Sequence, residues 1–73
     1  MERYGNSDSG VRAYEAGPDF IKVQFKDNSV YLYTYASAGS HSIERMKSLA
    51  AAGHGLSAFI STNVKKAYAR KEQ

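Results

Sequence analysis

The last eleven residues, "NVKKAYARKEQ", set Lys65, Lys66, Arg70 and Lys71 against the single carboxylate of Glu72. That excess accounts for the whole formal charge of +3, because the rest of the chain carries six positive and six negative side chains. Lysine and arginine neutralise phosphates and release counterions, so cations gathered on one side of an element bind RNA or DNA without reading its sequence. Two more lysines, Lys22 and Lys26, flank Gln24 in the stretch "KVQFK" and extend the candidate set. A second explanation of the basic end needs no ligand. Cations in a last helical turn stabilise its free carbonyls by about 0.3–1 kcal/mol each. On a helical wheel Lys65 points nearly opposite the core, Lys66 and Arg70 lie along one flank, and Lys71 falls beyond the ordered end, so the charges are splayed.

Other chemistries find less support. Acid–base or nucleophilic catalysis needs a base within hydrogen-bond reach of its partner. The nearest pairing is His41 with Glu44, three apart at a helix start, where the plain reading is an exposed histidine and a carboxylate near the positive helix end. His54 sits in the glycine turn Gly53-His54-Gly55, and the two histidines flank a helix instead of sharing one of its turns, a poor arrangement for a metal. That turn has free N–H groups beside a helix start, yet it lacks the longer glycine pattern and the lysine of a phosphate-binding loop. Without cysteine there is no thiolate site and no disulfide. No enzyme, cofactor or metal is expected.

The elements that carry these residues follow from periodicity. A chain of 73 residues makes one small domain, and 42% hydrophobic content with nine aromatics is enough to fold it. Residues 1–10, "MERYGNSDSG", read as a flexible N-terminus, with the domain over 11–71. Val11 to Ala16 reads as a strand, "GPD" at Gly17 to Asp19 as a turn, and Ile21, Val23 and Phe25 alternate with Lys22, Gln24 and Lys26 as a half-buried strand does. "DNS" then reverses the chain into "VYLYTY". From Ile43 the spacing becomes helical: Ile43, Met46, Leu49 and Ala50 share a face, Ser40 or Ser42 caps the start and Gly53 the end. Leu56, Phe59, Ile60, Val64, Ala67 and Tyr68 form a second stripe, so a second helix is expected to run to roughly Arg70. The result is an α+β domain, a three-stranded antiparallel sheet followed by two C-terminal helices packed on one face.

The direction of Tyr31, Tyr33 and Tyr35 turns on the "DNS" loop, because a change of one residue flips a strand's whole side-chain set. A two-residue loop leaves the tyrosines beside Lys22 and Lys26, where rings and cations together make a stacking surface for bases. A three-residue loop joins them to Val23 and Phe25. The loop residues alone leave both open.

Val23 and Phe25, a short polar turn, then Tyr31 and Tyr33 form a pattern that resembles the KTSC domain, a small bacterial and phage domain named for its similarity to a C-terminal extension of some lysyl-tRNA synthetases. In "GLSAFISTNVKKAY", Gly55, Phe59, Ile60, Val64 and Tyr68 follow that family's glycine, aromatic-pair and later apolar–tyrosine spacing. The resemblance spans roughly Val11 to Tyr68. Two departures stand out: "YASAGS" lacks the family's Val-Pro step, and Ser61 stands where the family has asparagine. The resemblance implies that Phe25, Tyr31 and Tyr33 share a face, which favours the odd-numbered loop, and it associates the chain with RNA or tRNA.

No window approaches the ~18 apolar residues of a membrane span, and the N-terminus lacks a signal peptide's apolar core, so a cytoplasmic monomer with no membrane role is expected. The expected function is a small non-catalytic module binding RNA or tRNA weakly through Lys65, Lys66, Arg70 and Lys71, with Lys22 and Lys26. The alternative is a protein partner on the sheet edge or on an open Val30 and Leu32 face.

Overall fold

The computed structural model describes residues 1–5 and 10–73. Five strands form one antiparallel meander in chain order: β1 (Glu2–Arg3), β2 (Val11–Ala16), β3 (Phe20–Phe25), β4 (Val30–Thr34) and β5 (Arg70–Lys71). Between β4 and β5 lie α1 (Tyr35–Ala38), α2 (Ser40–Ala52), α3 (Leu56–Phe59) and a π-helical segment (Ile60–Val64). The α+β class and the three central strands match the reading of the sequence, and two short outer strands extend the sheet to five. Among the described residues no helix is long and apolar enough to cross a membrane.

The β3–β4 hairpin fixes which face each side chain takes. Its loop has three residues, Lys26-Asp27-Asn28: the Phe25 amide donates to the Ser29 carbonyl at 2.9 Å and the Asn28 amide to the Phe25 carbonyl at 2.9 Å. Asn28 sits at φ 71°, in the left-handed region that follows the turn of such a loop and that asparagine tolerates better than most residues. The Asp27 carboxylate accepts from the Ser29 amide at 3.0 Å and from its hydroxyl at 2.6 Å, which locks the turn and holds the Asp27 pKa below its ordinary value. Val23 therefore pairs with Tyr31 and Ile21 with Tyr33, so the tyrosines join the apolar face.

On that face Ile21, Val23 and Tyr33 meet Ile43, Met46 and Ala50 of α2, and Leu56, Ile60 and Val64 complete the core. Each fully buried aliphatic side chain contributes about 1.5–3 kcal/mol, so the stripes predicted on the two helices are what hold them to the sheet. Gly53, left-handed at φ 81°, closes α2 by donating to the Ala50 and Leu49 carbonyls, as its position in the sequence led one to expect.

Four local expectations are corrected. Neither Ser40 nor Ser42 caps α2; Gly39 precedes it without a side-chain cap. The capping box lies earlier, where Thr34 and Ser37 exchange bonds at 3.0 Å each and draw Tyr35 out of the strand into α1. The opening residues, read as loose, include β1, which pairs with β2, and Tyr4, which enters the core and accepts from the Leu56 amide at 3.1 Å; residues 6–9 of that stretch lie outside the described residues. Finally, the second helix stops well short of Arg70. In "ISTNV" the Thr62 hydroxyl takes the Ala58 carbonyl at 2.9 Å and the Asn63 amide takes the Phe59 carbonyl at 3.3 Å. Such side chains compete for helix carbonyls, the helix widens into its π-helical turn, and the chain then leaves to pair with the free edge of β4.

Two measurements check this frame. Asn28→Ala is expected to lower stability in urea melts by about 1 kcal/mol because alanine meets the full left-handed penalty, while Asn28→Gly stays close to the parent. Burial pushes the Tyr33 hydroxyl up to about 12, with the neighbouring Tyr31 and Tyr68 adding to the shift, against 10.0 for an ordinary tyrosine. Between those values the unfolded chain releases a proton that the folded chain retains. The stability tied to Tyr33 is thus complete below pH 10 and is lost as pH rises towards 12, by about 3 kcal/mol at most. Alkaline unfolding followed by circular dichroism shows this loss in the parent and lacks it in Tyr33→Phe.

Candidate functional site

Where the core face of the sheet runs out beyond the helices, the hairpin end and the segment after the π-helical turn stand apart and leave an open groove of about 590 Å³. Phe25, Tyr31 and Tyr33 form its sheet side, with Ile60, Ser61, Lys65, Lys66 and Tyr68 opposite. Lys26, Asp27 and Ser29 close the hairpin end.

The rings make a continuous edge-to-face series. Phe25 and Tyr31 have centroids 5.6 Å apart, Tyr31 and Tyr68 4.8 Å, and Tyr33 and Tyr68 6.4 Å, with interplanar angles of 70–89°. Such pairs add about 0.5–1.5 kcal/mol beyond area burial. Tyr33 is sealed into the core, Tyr31 is half-buried, and Tyr68 remains 39% exposed, so the series runs from core to solvent. Tyr31 and Tyr68 therefore offer ring surface to a ligand.

The six cations singled out in the sequence divide between the two faces of the sheet. Lys26 in the hairpin loop and Lys65 and Lys66 after the π-helical turn line the groove. Lys71, opposite Tyr31 in the β4–β5 register, holds its ammonium 5.8 Å from the Tyr31 ring centre, within cation–π range. It also lies close enough to Asp27 to help keep that carboxylate ionised. Arg70 and Lys22 lie on the other face, both opposite Leu32, and both bind Glu72: Lys22 Nζ is 3.1 Å and Arg70 Nη2 2.9 Å from its carboxylate. The Glu72 pKa is held below its ordinary value by Lys22 first and Arg70 next.

The helical wheel drawn through Lys65, Lys66, Arg70 and Lys71 does not apply, because Arg70 and Lys71 lie in a strand and take opposite sides. Nor do those two cations serve a helix C-terminus. The Val30 and Leu32 face is not open either. Val30 is 6% exposed and Leu32 half-buried, and the tail beside them fills the β4 edge.

Some participants escaped the sequence reading. Tyr31 was weighed as a stacking ring, but only in the register that leaves it beside Lys22 and Lys26; Phe25 and Tyr68 as groove rings, and the pairing of Glu72 with two of the six cations, were not foreseen. A signal for Glu72 exists: Arg70 and Glu72 are two apart, the spacing that puts both on one side of a strand.

The remaining titratable pairs have structural partners. Tyr35 donates to Glu44, as does Lys47, whose ammonium also reaches the Pro18 carbonyl at 3.0 Å, tying the β2–β3 turn to α2. These bonds lower the Glu44 pKa, and the bond to Glu44 raises that of Tyr35. His41 and His54 are exposed. Among the described residues, no group of three or more histidines and carboxylates is placed to hold a metal ion.

Compared with protein-family models, curated proteins and solved structures, the chain finds no match among them.

Proposed function

We propose that this domain is a non-catalytic module that binds single-stranded RNA weakly in the groove between the β3–β4 hairpin and the Ile60–Tyr68 segment. The observation that carries the reading is the convergence of Lys26, Lys65 and Lys66 on the rings of Phe25, Tyr31 and Tyr68 in one open groove. Cations along the backbone path and π-faces for the bases are the two parts that sequence-tolerant single-strand binders combine. The resemblance to the KTSC domain, with its tRNA synthetase association, points the same way. A duplex fits the reading less well, because stacking requires unpaired bases.

Salt and single substitutions test it. With Lys26, Lys65, Lys66 and Lys71 each neutralising one phosphate, the affinity for a fluorescein-labelled oligouridylate falls with a log–log salt slope near −3, roughly 50-fold between 50 and 200 mM salt. Lys66→Ala is expected to reduce the slope by about 0.7, as one lost phosphate contact does. Tyr68→Ala is expected to weaken binding by about tenfold with the slope unchanged, since stacking is not a counterion effect. Tyr68→Phe stays near the parent. Fluorescence anisotropy that finds no binding at low salt, or finds these variants equal to the parent, overturns the reading. Tight, salt-insensitive capture of a protein in its place would favour a protein-interaction role.

A further inference from the structure

Tyr68, which lines the groove, is the first residue of a tail with little core of its own, and Lys71 of that tail lies over the Tyr31 ring beside the groove. From Tyr68 to Gln73 every residue is exposed, so the fold holds this tail chiefly by contacts other than apolar burial. Its backbone is bound to the β4 edge: the Ala69 amide donates to the Leu32 carbonyl at 2.6 Å, the Glu72 amide to the Val30 carbonyl at 2.7 Å, and the Val30 amide to the Gln73 carbonyl at 3.1 Å. On the groove side the tail delivers Tyr68 against Tyr31 and Tyr33, and Lys71 over Tyr31. On the other side it delivers Arg70 and Glu72.

The Glu72 side chain is only 21% exposed, against 68% for Arg70. One of its oxygens meets Lys22 on β3 at 3.1 Å, and the other accepts from Arg70 Nε at 3.0 Å and lies 2.9 Å from Nη2. Since β4 lies between β3 and β5, the carboxylate reaches past a whole strand to do this. The Lys22 contact crosses a strand and fixes the tail's position along β4 as well as its attachment, while Arg70, in the tail itself, holds the carboxylate in the orientation that reaches Lys22. That position decides whether Lys71 falls opposite Tyr31 and whether Tyr68 closes on it.

We infer that Glu72, clasped by Lys22 and Arg70, is the positioning residue of the groove: it holds the Tyr68–Lys71 wall in register from the opposite face of the sheet. This rests on the groove being the binding site. Lys22 and Arg70 then promote binding of a polyanion without touching it, and the carboxylate favours that binding although its charge opposes it.

The sign of that effect makes the test. Glu72→Gln removes a negative charge, and a purely electrostatic protein would bind oligouridylate more tightly. Positioning demands the reverse, a roughly fivefold loss with a shallower salt slope as Lys71 leaves its phosphate. Glu2→Gln, on exposed β1 at the opposite edge of the sheet from the tail, removes the same charge away from the clasp and is expected to bind at least as well as the parent. In the same proteins without RNA, NMR reads the wall directly. Glu72→Gln is expected to lose the Tyr31–Tyr68 ring contact and to speed exchange of the backbone amides at positions 69 and 72, with Ile21 and Val23 unchanged as markers of an intact core. Glu72→Gln that binds as well as Glu2→Gln, or that keeps its ring contact and slow amides, overturns the inference. If the parent itself binds no RNA, the groove reading falls, and the ligand-free spectra still decide whether Glu72 positions the wall.

Discussion

The pairing of β3 with β4 through a three-residue loop is the constraint from which the rest follows. With Asn28 in the left-handed region, Val23 meets Tyr31 and Ile21 meets Tyr33, and the apolar sides of both strands coincide beneath α2 and the Leu56–Val64 segment. One residue fewer would turn Tyr33 to solvent and Val30 and Leu32 to the helices, giving another core and no ring series at the groove. The same pairing sends Lys22 and Leu32 to the far face, where the tail's carboxylate finds its partner. A polar loop of Lys26, Asp27 and Asn28 thus governs both surfaces of the sheet.

The tail is decided by competition between two backbone conformations. Residues 65–72 contain lysine, arginine, alanine and glutamate, all adequate helix formers, and their local preference is to continue the preceding helix. Two things oppose it. The Thr62 and Asn63 side chains occupy carbonyls that the helix needs, and β4 presents an edge whose amide and carbonyls are unpaired until a strand arrives. Exposed strand edges invite unwanted pairing, and a strand from the same chain is one way to satisfy them. The pairing also buries Val30, which lies on the face away from the helices.

How much was legible follows from the range of the forces involved. Period-two alternation at Ile21, Val23 and Phe25 and helical spacing at Ile43, Met46, Leu49 and Ala50 are local imprints of burial, and the strands and α2 were readable from them. The position of Gly53 was readable for the same reason: its backbone angle is a local demand. The loop length was not settled by "DNS", since asparagine tolerates either turn and no Asn-Gly pair forces one. The tail was misread because its outcome is set by an edge some forty residues away in sequence, which no window over 65–72 contains. For the groove, the lysines were visible as charge, but their association with tyrosines of the core face was not. The sequence suggested that rings were either core or stacking surface, whereas Tyr33, Tyr31 and Tyr68 grade from one to the other along a single series.

Parity also separates cations that composition treats as equals. Arg70 and Lys71 are neighbours in sequence with the same charge, yet strand geometry sends one to Glu72 and the other to Tyr31. A count of positive residues at the C-terminus therefore overstates what a phosphate would feel there, and a helical wheel misassigns which ones it would meet. Lys65 and Lys66 act differently again, because they follow the π-helical turn, outside any regular element, and both line the groove. The charge lining the groove comes from the hairpin loop and the turn after the helices, and the inner side of the tail adds Lys71 beside it, over the Tyr31 ring. The hairpin and helical contributions rest on the packed core, and the tail's contribution rests on edge hydrogen bonds and one clasped carboxylate. Only the tail's side of the groove, Tyr68 with Lys71 beside it, is thus as firm as that last attachment.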